Sequence, residues 1–333
     1  MAKLALLDLV PICQGSSIST ALANAADVAR HAEALGYGRY WVAEHHGMPG
    51  VGAAATSVVL AHVGAATATI RIGAGGIMLP NHAPLQIAEQ FGTLDALYPG
   101  RIDLALGRAP GSDRRVAAAL RRNLNSSSDQ FVHDVMELQA LFAGNPQTGV
   151  VAVPGAGAAP EMWILGSSTF GAQLAAALGL PYGFASHFAP ALLDEALAVY
   201  RQTFRPSETL VKPHAMVACN VFAADTEEEA QILATSMQQS FVALRSTATP
   251  GRFPPPRPGY MQTLAEHERA MLNEILSVAA IGTRGQVAKT FRQILTRTRA
   301  DEIIVTSQIY DHEARKRSLS IAAMAFQDAI EAR

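Results

Sequence analysis

Short apolar runs alternate with longer stretches of helical spacing along the chain. Lys3–Val10, Arg39–Ala43, Ile70–Gly75, Ile102–Leu106, Met162–Leu165, Tyr182–Ala185, His214–Ala223 and Glu302–Thr306 are runs of strand type. The apolar residues between them recur at helical intervals. They predict helices over Ser19–Leu35, Ala53–Ala68, Pro84–Leu97, up to Phe142, Phe170–Leu178, Ala191–Phe204, 226–245, 283–298 and His312–Ile330. Gly36 and Gly179 fit helix stops. Ser127-Ser128-Asp129-Gln130, Thr226-Glu227-Glu228-Glu229 and Thr283-Arg284-Gly285-Gln286 read as capping boxes, in which two side chains satisfy the free N–H groups of a first turn.

The strand runs are continuous rather than alternating. Continuous runs mean burial on both faces, as in a parallel sheet covered by helices. Eight strand–helix units predict an α/β fold, a (β/α)8 TIM barrel, which typically needs about 250 residues. The 333 residues then form one domain, 1–333, with insertions after the fourth and seventh strands. Their expected places are the Gly/Pro-rich loops 144–160 and 247–270, the second densest in proline over 247–262. A doubly wound sheet is the alternative, but no GxGxxG opens the first helix.

Composition narrows the setting. Hydrophobic residues make up 49% and charged ones 16%, with a net charge of −2, so neither a polyanion nor an anionic membrane is indicated as partner. Cys13 and Cys219 lie far apart and form no CxxC, consistent with free thiols in a reducing compartment. Asp8 interrupts the apolar N-terminus, and no run approaches the ~20 residues of a membrane span. The expectation is a cytoplasmic protein.

In such barrels chemistry sits at the C-terminal ends of the strands. Glu44-His45-His46 follows the second strand and offers an acid–base site. Its spacing is poor for a metal, and the chain has no HxH or HExxH, so no metal site is expected. A hydrolase that gathers His45, His82 and His187 is the minor alternative. Gly73, Gly75 and Gly76 end the third strand and permit close approach of a flat ligand, or simply a tight turn. Arg108, after the fourth strand, suits a phosphate or a surface ion pair. Gly166-Ser167-Ser168 ends the fifth strand where a helix begins, which suits an anion or ordinary capping. Together Arg108 and Gly166–Ser168 come from neighbouring strands and can share one phosphate.

These segments, WVAEHH (41–46), IRIGAGGIMLPNHAPLQIAEQF (70–91), YPGRIDLALGRAPG (98–111) and WILGSS…AAALGLPYGFASHFAP (163–190), resemble the bacterial luciferase-like monooxygenase family over nearly the whole chain. The resemblance implies a homodimeric flavoprotein that uses FMN, reduced by a partner flavin reductase, with O2 to oxygenate a small organic substrate. A deazaflavin-dependent reductase or dehydrogenase on the same fold is its closest rival. His45 then corresponds to the active-site histidine beside the flavin, preceded by Glu44. Arg108 corresponds to the arginine that holds the FMN phosphate, with Gly166, Ser167 and Ser168 as the phosphate turn. Gly75-Gly76 falls where the family carries a non-prolyl cis peptide beneath the ring, with Met78 close by, and 247–262 falls at a lid. Two features depart from the light-emitting subunit: Leu106-Gly107 precede the arginine, and the phosphate turn has no carboxylate. The expected mechanism has a dry apolar mouth lined by Met78, Leu79 and Phe184. His45, titrating near neutrality, handles a proton there. Glu44 either orients His45 or, because adjacent strand residues face opposite ways, one of the two points into the core of the wall; His187 is a second polar group or a structural one.

Overall fold

A computed structural model describes residues 2–108, 114–120, 128–145, 149–245 and 251–332. Among the described residues nine strands run in chain order: β1 (Lys3–Asp8), β2 (Arg39–Val42), β3 (Arg71–Met78), β4 (Ile102–Gly107), β5 (Glu161–Gly166), β6 (Tyr182–Phe184), β7 (Ala215–Ala223), β8 (Ala279–Gly282) and β9 (Glu302–Thr306). The helices after β1, β2 and β3 are α1 (Ile18–Ala34), α2 (Thr56–Ala66) and α3 (Pro84–Leu97). After β4 come α4 (Arg114–Ala119) and α5 (Ser128–Phe142), then α6 (Thr169–Leu178) and α7 (Leu193–Thr203). The connection after β7 holds α8 (Glu227–Arg245), α9 (Tyr260–Thr263) and α10 (Glu266–Ile275); α11 (Arg284–Thr298) and α12 (His312–Glu331) complete the chain.

Eight strands close an all-parallel barrel. Consecutive strands pair from β1 to β7, β7 pairs with β9, and β9 returns to β1. The expected barrel is therefore present. β8 is an extra strand that pairs with the end of β7, Asn220 to Ala223. The stretch expected as the loop 247–270 is partly regular, because α9 and α10 occupy 260–275 and bury Tyr260, Leu272 and Ile275. These join Phe222, Phe241 and Phe253 in a separate apolar cluster. The capping box expected at 127 begins outside the described residues. The one at 283 is present, with Gln286 Oε1 accepting from the Thr283 N–H at 2.8 Å.

Period-two alternation sorts the strand residues between two environments. Tyr40, Val42, Ile303 and Val305 face the helices in the main core. Leu7, Trp41, Ala43, Ala105, Trp163, Met216, Ala218 and Ile304 fill the barrel. Trp41 and Trp163 meet edge to face, 5.3 Å between centroids. At the N-terminal end of the barrel, Arg39 bonds Asp103 at 2.8 Å, Glu302 at 3.0 Å and Glu161 at 3.0 Å, and its guanidinium lies 4.9 Å from the Trp163 ring centre. Arg71 and His214 extend this network to Asp103 and Glu302. The barrel is thus plugged at the end away from the expected site. Asp103, held by Arg39 and Arg71, serves the scaffold.

Candidate active site

Glu44 and His45 part at the end of β2. His45 continues the inward parity of Trp41 and Ala43, whereas Glu44 turns toward the end of β3. One Glu44 oxygen accepts from His46 Nε2 at 2.7 Å and from Asn81 Nδ2 at 3.2 Å. The other accepts from the Met78 N–H at 3.0 Å, and His82 Nε2 reaches both oxygens at 2.9 and 3.0 Å. Burial pushes the Glu44 carboxyl upward, but the His82 hydrogen bond and charge, the Met78 N–H and Asn81 together hold it below the usual range. Glu44 therefore anchors the loop after β3 and makes no hydrogen bond to His45; of the two expected arrangements, the one in which these neighbours face apart is present. The three-residue cluster Glu44, His46 and His82 brings ligand atoms within 4.8 Å of one another. Of the trio His45, His82 and His187, this cluster holds only His82. The two imidazoles both point at the carboxylate, the arrangement of a hydrogen-bond hub.

His45 Nδ1 is buried without a hydrogen-bond partner, and so is Nδ1 of His187 after β6. β2 and β6 lie opposite one another in the eight-strand cycle, so the two imidazoles approach across the mouth. Burial pushes His187 down to about 4, and charge on His45 adds to this. Burial also lowers His45; neighbouring His46 adds to the fall and Glu44 opposes it. His187 thus joins His45 at the mouth.

The third strand ends in a bulge. Gly75 pairs with Ala105 and Ile77 with Leu106, which leaves Gly76 over. The Gly75–Gly76 peptide is cis. A Cβ on Gly75 would stand 2.8 Å from Leu7 Cδ1, and one on Gly76 would stand 2.5 Å from the Ala105 carbonyl oxygen. Both glycines are thus required by the wall itself. Leu79 and Phe184, expected at the mouth, belong instead to the core between barrel and helices. The mouth is more polar than expected, and Leu9 and Leu165 form its apolar floor.

Arg108 leaves β4 exposed, and its guanidinium lies 4.3 Å from the centre of the Phe170 ring in the first turn of α6. α6 has Ser168 as its N-cap residue, with no side-chain hydrogen bond capping the turn. Arg108, the residues Ser167 and Ser168 and the first turn of α6 therefore lie at the neighbouring ends of β4 and β5. A Cβ on Gly166 would meet nothing nearer than 3.9 Å, so that glycine leaves room rather than filling a packing need. The donor set and the free space both fit a phosphate. Residues 109–111, which complete the expected arginine segment, lie outside the described residues.

A closed parallel barrel carries two imidazoles and, where a helix begins, a serine turn at the C-terminal ends of its strands. The chain belongs to the luciferase-like monooxygenase family, whose model matches residues 7–302. A luciferase-like monooxygenase of Escherichia coli (strain K12) is 52% identical over 318 residues, covering 95% of both chains. The N-acetyl-S-alkylcysteine monooxygenase of Bacillus subtilis (strain 168) is 34% identical over 253 residues, 74% of this chain and 75% of that one. The crystal structure of apo-MsnO8 superposes with a TM-score of 0.87 at 31% identity, covering 98% of this chain and 99% of that one. At 16% and 12% identity the fold alone is shared with an FMN complex of 3,6-diketocamphane monooxygenase from Pseudomonas putida and a coenzyme F420-dependent reductase from Methanopyrus kandleri. The chain is an enzyme of this monooxygenase family. No helix among the described residues is long and apolar enough to cross a membrane.

Proposed function

We propose that the chain is the oxygenase component of a two-component system, taking reduced FMN from a separate flavin reductase and using O2 to oxygenate a small organic substrate. The observation that carries this reading is the meeting of Arg108 with the uncapped first turn of α6. Arg108, Ser167, Ser168 and the α6 N–H groups would hold the phosphate, and Gly166 leaves it room. The Gly75–Gly76 backbone and Met78 would back the ring. When bound, FMN supplies the redox chemistry with O2. The chain's own work is to bind, orient and manage protons. His45 is largely neutral at physiological pH, because burial lowers it, and its unpartnered Nδ1 can give or take a proton at the reacting centre. Glu44 acts at one remove by fixing the loop that carries His82. Assembly as a homodimer belongs to the same reading, supported by Val58 on α2 and Leu97 on α3, which are 68% and 56% exposed.

Thioethers are the first substrates to try, since one relative is named for N-acetyl-S-alkylcysteines. Purified protein, FMN, a flavin reductase and N-acetyl-S-methylcysteine are combined under labelled O2. The expected product carries one labelled oxygen atom. Turnover that proceeds without O2, or that runs with reduced F420 and not with reduced FMN, contradicts the proposal.

A further inference from the structure

Among the described residues, four buried side-chain atoms at the C-terminal end of the barrel have no hydrogen-bond partner: Nδ1 of His45, Nδ1 of His187, Oδ1 of Asn220 and Oγ1 of Thr306. Folded interiors leave few polar atoms in this condition, because each costs about 1–3 kcal/mol unless something completes it. These four share one location. Met216 and Ala218 on β7 and Ile304 on β9 line the barrel interior. Two residues further on, Asn220 and Thr306 therefore face the same way at the mouth. They are register partners on adjacent strands, and each is 1% exposed.

The Asn220 amide has one possible orientation. Its Nδ2 donates to the His187 carbonyl oxygen at 2.7 Å. A carbonyl only accepts, so the amide nitrogen must occupy that side, and Oδ1 is left as an acceptor. The Thr306 hydroxyl can donate or accept. The set is completed by a group that brings an N–H or O–H to Asn220 and an acceptor to Thr306.

Position then separates a substrate from the flavin. β7 lies opposite β3 in the strand cycle. A flat ring resting on the Gly75–Gly76 backbone turns one face to β3 and the other to β7. Asn220 accordingly meets whatever lies above the ring, rather than the ring's edge. We propose that Asn220, Thr306 and His187 form a substrate-selecting subsite for a small organic molecule carrying a hydrogen-bond donor, an amide N–H or a hydroxyl, beside the group that is oxidised. The subsite rests on the flavin reading above and extends it to the substrate's chemistry.

Acetanilide and phenyl acetate share a shape and differ by N–H against O, so they serve as probes. Their affinities for the FMN-loaded protein are read from the perturbation of flavin absorbance, with FMN affinity measured separately for each variant. The wild type is expected to favour acetanilide by roughly ten- to a hundredfold, the worth of one buried hydrogen bond and the acceptor otherwise left bare. Asn220→Leu should bring that ratio close to one. Thr306→Val keeps the shape of the side chain, serves if Asn220→Leu does not fold, and should weaken both probes about tenfold through their shared carbonyl. FMN affinity should stay within about twofold throughout, as expected for contacts made to another molecule. Equal or undetectable binding of the probes by the FMN-loaded wild type overturns the subsite, as does an effect of neither variant. FMN affinity falling in step with probe affinity assigns these residues to the cofactor and also overturns it. Failure of the wild type to bind FMN instead removes the flavin reading beneath it, and the two failures are told apart by that first titration.

Discussion

Glu44 shows how a charge next to a candidate active-site histidine can serve the scaffold. Its carboxylate collects Met78, Asn81, His46 and His82 within hydrogen-bond distance. Glu44→Gln keeps the shape and loses the charge, and is expected to cost about 2 kcal/mol, seen as a lower midpoint in urea at unchanged slope. Because the Glu44 pKa is depressed in the fold, its stabilisation is present above the usual glutamate range and is lost as pH falls through it. His187 has the same acid sensitivity for the opposite chemical reason. Burial brings it down to about 4 from the ordinary 6.5, so the fold favours its neutral form. That contribution is complete above pH 6.5 and is lost between 6.5 and about 4, amounting to at most about 3 kcal/mol. His187→Asn should flatten the pH dependence of unfolding in that window, compared with the wild type. An unchanged slope would mean that His187 is solvated in the folded protein.

Among the elements, the strands were the most legible, because a barrel strand buried on both faces reads as an unbroken apolar run. β8 escaped because Ala279–Gly282 is only four residues long and weakly apolar. α9 and α10 escaped because the prolines just before them suggested irregular chain through 270. The polar ends of β7 and β9 were within reach of the sequence: Asn220 stands out in AMVACNVFA, and Thr306 ends EIIVT. Counting alternate residues back to Met216 and Ile304 would have aimed both inward. The partners of Glu44 and Arg39 were out of reach, since hydrogen-bond pairing between strands far apart in sequence is fixed only by closure of the barrel. Arg39 illustrates this, for it joins β2 to β4, β5 and β9. Arg39→Met is expected to cost about 3–5 kcal/mol, because Asp103 and Glu302 would remain buried without their shared cation. A loss below about 1 kcal/mol in denaturant unfolding would place that network on a solvated surface instead.

For the whole molecule, division of labour follows from the barrel's two ends. Ion pairs close the N-terminal end, while the C-terminal end keeps a guanidinium, an uncapped helix and several unpartnered polar atoms around one opening. The apolar cluster formed by α8, α9, α10, Phe253 and Ile309 packs on the end of β7 at Phe222, beside that opening. The proposed function depends on a phosphate being held between β4 and β5. The most direct measurement is therefore a pair of titrations, FMN and riboflavin, against the wild type and Arg108→Ala. The phosphate should make FMN the tighter ligand of the wild type. Arg108→Ala should weaken FMN by on the order of ten- to a hundredfold and leave riboflavin nearly unchanged. Equal affinity for the two flavins, or an FMN affinity indifferent to Arg108, would contradict the account.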